Sequence, residues 1–394
     1  MGFRYAEEKD IQIIRELWMY SFNEDASSTD YYFENRYSKD YNALWDEEEI
    51  KASLQLNPYT LSIKGKKEKT SYVVGISVYP EHRGKKLTTK LLKASLLDLI
   101  ERGGAISLLM PIDTDIYRRY GYENCFDMEV YNLSIRDIKI RKDRAEKTKR
   151  VREITKQDIK DIQNIYSSAS KNWDNYIERD EDYFKELFKE VKSEAGEIFI
   201  SYDKDEGATG YMIFYPKFEG GSKGFVREMF YKNSSSLNTF LSIIKSHRTQ
   251  FKDVEICQEK DSYLKDFWGY DNKIKVNIKP FMMARIINPA LFLNNMGIKN
   301  KIPLKMKIID SFLDINNKAF IISENDVIES NDENNIDFII DIGSLTQIAL
   351  GYIGIENAVF TEKIVFLEPE KKENIVSALK EIFPNTKSFI NDYI

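Results

Sequence analysis

The chain has little of the side-chain equipment on which most catalytic sites are built. Its 394 residues include two cysteines, Cys125 and Cys257, and two histidines, His82 and His247. Two cysteines argue against a disulfide framework and against a Cys-rich zinc site. Two histidines leave no multi-His metal centre, and no metal is expected. A Ser-His-Asp or Cys-His mechanism has to use one of those two imidazoles. No apolar run approaches the ~20 residues that span a bilayer. The opening MGFRYAEEKD has no apolar secretory core, and Ala6 stands where a myristoylation signal has Ser or Thr. Excess positive charge is missing too: 58 Lys and Arg face 64 Asp and Glu, a net charge of −6. That argues against a nucleic-acid protein resting on a basic surface. The expectation is a soluble cytoplasmic protein with no membrane or nucleic-acid partner. Its chemistry then comes from backbone, Tyr, Lys, Arg or carboxylates.

What is present suffices for several cores. The length suggests two to three domains, and 42% of the chain is hydrophobic. An internal repeat divides it. FRYAEEKDIQIIRELW from Phe3 matches VREITKQDIKDIQNIY from Val151, aligning Arg4 with Arg152, Asp10 with Asp158, Ile11 with Ile159 and Ile14 with Ile162. Each copy reads as a strand, a polar helix start and an apolar helical face, so the repeat predicts duplicated domains. The charged run RDIKIRKDRAEKTKRVR, 136–152, reads as a connector and places a boundary near 145. A second change falls at Lys279-Pro280-Phe281, before the helix-like ALFLNNMG. The expected units are 1–145, 146–282 and 283–394. Strands and helices alternate throughout, so the class is α/β or α+β.

The most informative stretch is VVGISVYPEHRGKKLTTKLL, 73–92. An apolar strand ends at Val78, and Pro80 removes a ladder donor. A basic, Gly-containing loop follows and opens into a helix over 87–100, with Leu87, Leu91, Leu92, Leu96, Leu99 and Ile100 on one face. Free N–H groups and the positive dipole end at that junction suit a phosphate. An ordinary βα unit with solvated lysines reads the same way.

The stretch resembles the coenzyme-A loop of the GNAT N-acetyltransferases, V-x-V-x-P-x-x-[RQ]-x-x-G-x-[GA]. Ile76-Ser77-Val78 stand as the strand end, Pro80 as the proline and Arg83 as the Arg/Gln. Lys86 and Thr88 depart from the family's Gly and Gly/Ala, and a Cβ at 86 crowds a closely approaching pyrophosphate. With IYRRYGYENC (116–125), the repeat, and DFIIDIGSLTQIALGYIG (337–354), the whole order resembles the Eis-type acetyltransferases. That resemblance implies an active GNAT domain, a degenerate GNAT domain and a sterol-carrier-protein-like domain. The second copy, FVREMFYKNSSSLNTFL after Gly224, lacks the proline and the R-x-x-G spacing. The resemblance further implies a homo-oligomer, a hexamer.

Acetyl transfer from acetyl-CoA to an amine needs a donor for the carbonyl oxygen, a proton for the leaving thiolate and a neutral amine held close. The strand-end N–H of Val78 is the natural carbonyl donor. The resemblance implies Tyr122, at the end of IYRRYGY, as general acid and the carboxylate of Ile394 as base. It places Arg83, Gly84, Lys85, Lys86, Leu87, Thr88 and Thr89 around the coenzyme, with Ile76, Ser77, Val78, Tyr117 and Arg118 along it. Trp18, Phe22, Glu24 and Asp25 in ELWMYSFNED form an aromatic and acidic set that suits a polyamine or aminoglycoside; equally, Trp18 and Phe22 belong to the buried face of an amphipathic helix. His82 reads as a loop residue, His247 as a surface residue and Cys125 as packing. The alternatives are a non-catalytic binding protein, and an acyltransferase with another donor or a protein-lysine acceptor.

Overall fold

The computed structural model describes residues 2–22, 26–205, 207–218, 221–269 and 273–393. The first unit runs β1 (Phe3–Tyr5), α1 (Ile11–Ser21), α2 (Ala26–Asn35), β2 (Asn42–Glu47), β3 (Glu49–Ile63), β4 (Lys66–Val78), α3 (Leu87–Glu101), β5 (Ile106–Leu109), α4 (Thr114–Arg118) and β6 (Glu123–Ser134). The second runs β7 (Lys147–Val151), α5 (Lys156–Ser170), β8 (Asn175–Ile177), α6 (Glu181–Ser193), β9 (Glu197–Asp203), β10 (Gly207–Phe218), β11 (Lys223–Tyr231), α7 (Ser234–Ser246), β12 (Asp253–Gln258), α8 (Leu264–Trp268) and β13 (Lys275–Ile286). The third holds α9 (Pro289–Asn295), β14 (Leu304–Ile309), β15 (Ala319–Ile322), β16 (Val327–Ser330), β17 (Phe338–Asp341), α10 (Ile342–Ala349), α11 (Ile355–Phe360), β18 (Ile364–Phe366) and α12 (Lys372–Ile382).

Local sequence explains these elements. Lys64 and Gly65 both take positive φ, the two-residue turn that joins β3 to β4. In α3, Leu87, Leu91, Leu92 and Leu96 are buried, with Leu99 and Ile100 packed against the same cluster. The repeated aspartates do the same work twice. Asp10 accepts from the Glu7 N–H and pairs with Arg4 at 2.6 Å. Asp158 forms a capping box with Thr155 and pairs with Lys149 at 2.5 Å. The repeat's Arg4–Arg152 match does not carry over. Arg152 lies beyond β7, and Lys149 within the strand supplies the cation.

The two units share one sheet, ordered β1-β2-β3-β4-β5-β13-β6-β12-β11-β10-β9-β7, with β8 beside β3. β13, last in the second unit, pairs with β5 and β6 of the first. β6, last in the first unit, borders β12 of the second. Each unit thus lends a strand to the other. The boundary drawn at 282/283 falls inside β13. Pro280 marks no domain edge: it sits at a register slip where β13 passes from exposed (275–280) to buried (281–286).

The third unit's sheet, β16-β15-β14-β17-β18, is separate. Buried Arg285 of β13 ties it down, pairing with buried Asp310 at 2.5 Å and donating to the Tyr120 carbonyl. The terminal segment then runs back to the second unit. Ser388 bridges to Asn175, and the Asn175 amide donates to the Leu350 carbonyl and Ser388 Oγ. Residues 389–392 are buried. Among the described residues no helix is long and apolar enough to cross a membrane.

Candidate active site

The site is a fork in the sheet. β4 and β5 pair in parallel over three positions only, Ser71 with Ser107, Tyr72 with Leu108 and Val73 with Leu109. β5 then ends while β4 continues to Val78. A bulge on β4, opposite Ser53–Gln55 of β3, turns the strand where it leaves its neighbour. Gly75 sits in that bulge at φ +63°, and the Trp18 ring lies where a Cβ would project. Sequence reasoning passed over Gly75; a lone glycine inside an apolar strand is the signal that finds it.

Beyond the fork the strand end is oriented by its ladder. The Tyr79 N–H donates to the Lys51 carbonyl at 3.1 Å. By antiparallel alternation the Val78 N–H points away from β3, toward the gap left by β5. On that side the Val78 carbonyl accepts from Arg83 Nε at 3.2 Å. Ile76 and Val78 are half-buried against the α3 leucines, and Ser77 is buried.

The loop that follows is pinned through His82. Its Nε2 lies 2.9 Å from Glu49 Oε1, and its Nδ1 lies 3.3 Å from Lys85 Nζ. Gly84 (φ +79°) and Lys86 (φ +59°) take left-handed conformations and turn the chain into α3. Lys86 is the helix N-cap and gives no side-chain cap, leaving the N–H groups of Leu87, Thr88 and Thr89 at an open positive end. Arg83, Gly84, Lys85 and Lys86 are exposed around it. Lys86 therefore occupies the backbone state in which the family pattern places glycine. The equivalent place in the second unit is closed. Only Lys232 and Asn233 join β11 to α7, and the Asn233 side chain accepts from the Ser236 N–H, capping that helix itself.

Tyr122 follows α4 through Gly121, whose positive φ and missing Cβ make room for the Arg285 guanidinium. The Tyr122 hydroxyl is fully buried, 2.8 Å from Ser107 Oγ, and Ser107 in turn donates to the Ser71 carbonyl at 3.2 Å. Burial pushes its pKa up to about 12, against smaller opposing effects of Ser107 and Arg285. Tyr117 is buried under α3, its pKa also raised by burial. Tyr120 meets Thr89 Oγ1 at 3.2 Å. Arg118 is exposed and paired with Asp115 and Glu123. Cys125 is buried, its thiol pushed well above the usual range. His247 is half-buried rather than a surface group, its Nδ1 2.8 Å from the Ile243 carbonyl and its ring beside Phe214 and Phe251.

The other face of the fork meets the terminal segment. The Tyr72 hydroxyl donates to the Asp392 carbonyl at 3.3 Å. The Asp392 carboxylate accepts from Tyr183 at 2.5 Å and pairs with Arg179 at 3.2 Å, and Arg179 also holds Glu228 at 2.8 Å. Tyr393 lies among Phe281, Met128 and Cys257, with Arg227 over its ring. Tyr122 and the terminal segment therefore approach neighbouring positions, Ser71 and Tyr72, from opposite faces of β4. Ile394 lies outside the described residues, as do Glu24 and Asp25. Trp18 is buried on Gly75 and stacked on Tyr32 at 4.5 Å, and Phe22 packs beside it at 4.9 Å. A cavity of about 620 Å³ opens between the units, lined by Asn57, Tyr59 and Thr70 on one side and Glu178, Asp180, Asp182, Tyr183 and Glu186 on the other. These carboxylates, spread through α6 and its approach, had no motif to mark them.

Comparison with known proteins accords with this layout. Residues 2–125 and 175–286 each match the acetyltransferase (GNAT) domain, and residues 289–391 match the sterol carrier protein domain. No curated protein matches in sequence. Among solved structures, a probable N-acyltransferase from Enterococcus faecalis is similar at TM-score 0.83 and 20% identity, over 100% of this chain and 99% of that one. A GCN5-related N-acetyltransferase from Anabaena variabilis is similar at TM-score 0.81 and 19% identity, over the whole of both chains. Eis1 from Mycobacterium abscessus is similar at TM-score 0.74 and 15% identity, over 100% and 99%. With two GNAT acetyltransferase domains joined through one sheet and closed by a sterol-carrier domain, the chain has the architecture of the Eis-type acetyltransferases.

Proposed function

We propose that the protein is an acetyl-CoA-dependent N-acetyltransferase that acetylates an amine of a cationic small molecule. The observation that carries this reading is the β4–β5 fork, with the Val78 N–H turned into it and the uncapped end of α3 behind it. Arg83, Lys85, Lys86 and the first N–H groups of α3 hold the coenzyme phosphates. The Val78 N–H donates to the thioester carbonyl as charge develops on its oxygen. The amine nitrogen bonds to the carbonyl carbon, the carbon–sulfur bond breaks, and the amine gives up one proton. Tyr122, protonated across the physiological range, supplies a proton to the departing thiolate. The terminal carboxylate of Ile394 serves as the base that takes the proton the amine gives up. Glu178, Asp180, Asp182 and Glu186 outnumber Arg36 and Lys69 in the lining of the 620 Å³ cavity, and this acidic balance favours a cationic acceptor, of aminoglycoside or polyamine kind. A cytoplasmic homo-oligomer, a hexamer by resemblance, belongs to the same proposal.

The test is acetyl-CoA titration followed by thermal unfolding, with thiol release measured on an amine panel. Saturable stabilisation by mass action and amine-dependent release are expected. No stabilisation at millimolar acetyl-CoA leaves the binding-protein reading instead.

A further inference from the structure

One buried polar side chain beside the fork is left without a role by the mechanism above. Gln55 lies on β3 opposite Val74, the residue before the Gly75 bulge. It is 2% exposed, yet neither its Oε1 nor its Nε2 has a hydrogen-bond partner. An amide buried in this way destabilises the fold, and an apolar side chain of similar shape does not. Its surroundings point to a ligand. Asn57, the next residue on the same face of β3 and ~7 Å along the strand, lines the cavity between the units. On the opposite side stands Gly75 under the Trp18 ring. Gln55 thus stands between the place where an acceptor enters and the place where the acyl carbon is held.

A carboxamide offers one acceptor and one donor side by side. We propose that Gln55 is a specificity-determining residue for the acceptor, reading an amine together with an oxygen on the adjacent carbon. Its Oε1 accepts from the N–H of the neutral amine and turns the nitrogen lone pair toward the fork. Its Nε2 donates to the neighbouring oxygen. A plain alkylamine satisfies the first bond and leaves the second unmade, so it is discriminated against. This rests on the acetyltransferase reading and narrows its acceptor.

The experiment compares 2-aminocyclohexanol with cyclohexylamine as acceptors for acetyl-CoA in the full chain, with kcat/KM expressed per neutral amine. The wild type is expected to favour the amino alcohol about tenfold. In Gln55→Leu and Gln55→Met that ratio falls to within about twofold of unity, while the unfolding temperature stays level or rises because the orphaned amide is gone. Equal use of both amines by the wild type overturns the proposal. So does a ratio preserved in both variants, or an unfolding temperature that drops in both, which makes the amide structural. If the wild type acetylates neither amine nor any other in the panel, the acetyltransferase reading fails as well. Turnover without preference defeats this proposal alone.

Discussion

Arg179 and Asp392 meet at 3.2 Å in a fully desolvated pair, although 212 positions intervene between them. The guanidinium belongs to the segment between β8 and α6, and the carboxylate to the terminal segment at the fork. Because Arg179 also holds Glu228, its two partners are not equivalent to it. Removing the cation strands two buried carboxylates, and removing Asp392 leaves a neutral pair.

Arg179→Met should therefore cost about 3–5 kcal/mol, and Asp392→Asn about 1–2 kcal/mol. Urea unfolding of the two variants checks the order. Both weaken the side-chain anchor of the terminal segment, so both should lower kcat with acetyl-CoA binding kept. A short extension after Ile394 should lower kcat without lowering stability. Full activity of an extended chain removes the terminal carboxylate from the mechanism.

Tyr122→Phe should reduce turnover roughly 100-fold or more, with the acetyl-CoA dissociation constant unchanged. The same hydroxyl makes a prediction about pH. Folded, it titrates near 12 because it is buried; unfolded, it titrates near 10. The unfolded chain loses that proton first, so this stabilising difference is whole below pH 10 and is lost as pH rises to 12. Over that window the wild type should lose about 1.4 kcal/mol per pH unit more than Tyr122→Phe. Unfolding at pH 9, 10.5 and 12 measures it. Parallel losses in both proteins contradict the burial argument.

Lys86 separates two effects of one position. Lys86→Gly relieves a left-handed backbone and should stabilise the fold by up to about 1 kcal/mol. Lys86→Ala removes the charge and keeps the conformation. If the Cβ crowds the coenzyme phosphates, Ala should bind acetyl-CoA several-fold more weakly than Gly. Equal affinities show that the Cβ does not crowd them.

The Trp18 ring lies against Gly75 in the bulge of the fork. Gly75→Ala places a methyl 2.1 Å from the indole and forces an L-residue to φ +63°, so loss of folding or of activity is expected. Trp18→Ala should cost about 3–5 kcal/mol and open space beyond the acyl carbon. Assayed in the cold, it should shift preference from acetyl-CoA toward butyryl-CoA. An unchanged chain-length profile places the acyl group elsewhere.

How much of this was visible beforehand varied with the range of the contact. The 73–92 stretch was legible because strand, proline, loop and amphipathic helix are all local. The repeated Asp10 and Asp158 were legible as helix starts, yet their cations were not, since Arg4 and Lys149 sit at unrelated offsets. β13 was hidden because it pairs with strands some 150 positions earlier, and Pro280, a strand irregularity, looked like an edge between domains. The cavity carboxylates Glu178, Asp180, Asp182 and Glu186 belong to no motif. Only the packing of the second unit against the first turns them toward a site. Gln55 was invisible for another reason: its significance is the absence of a partner, which no sequence pattern records.

The exchange of β6 and β13 bears on how the molecule is made. The first unit's sheet stays open between β5 and β6 until residue 286 has left the ribosome. At ordinary translation speeds that is a delay of roughly 10 to 30 s after β6 emerges. During it, two strand edges of a nascent acetyltransferase domain stand unpaired. A gene fragment ending near residue 145 would hold them open permanently, so neither GNAT unit can be studied by cutting it free of the other.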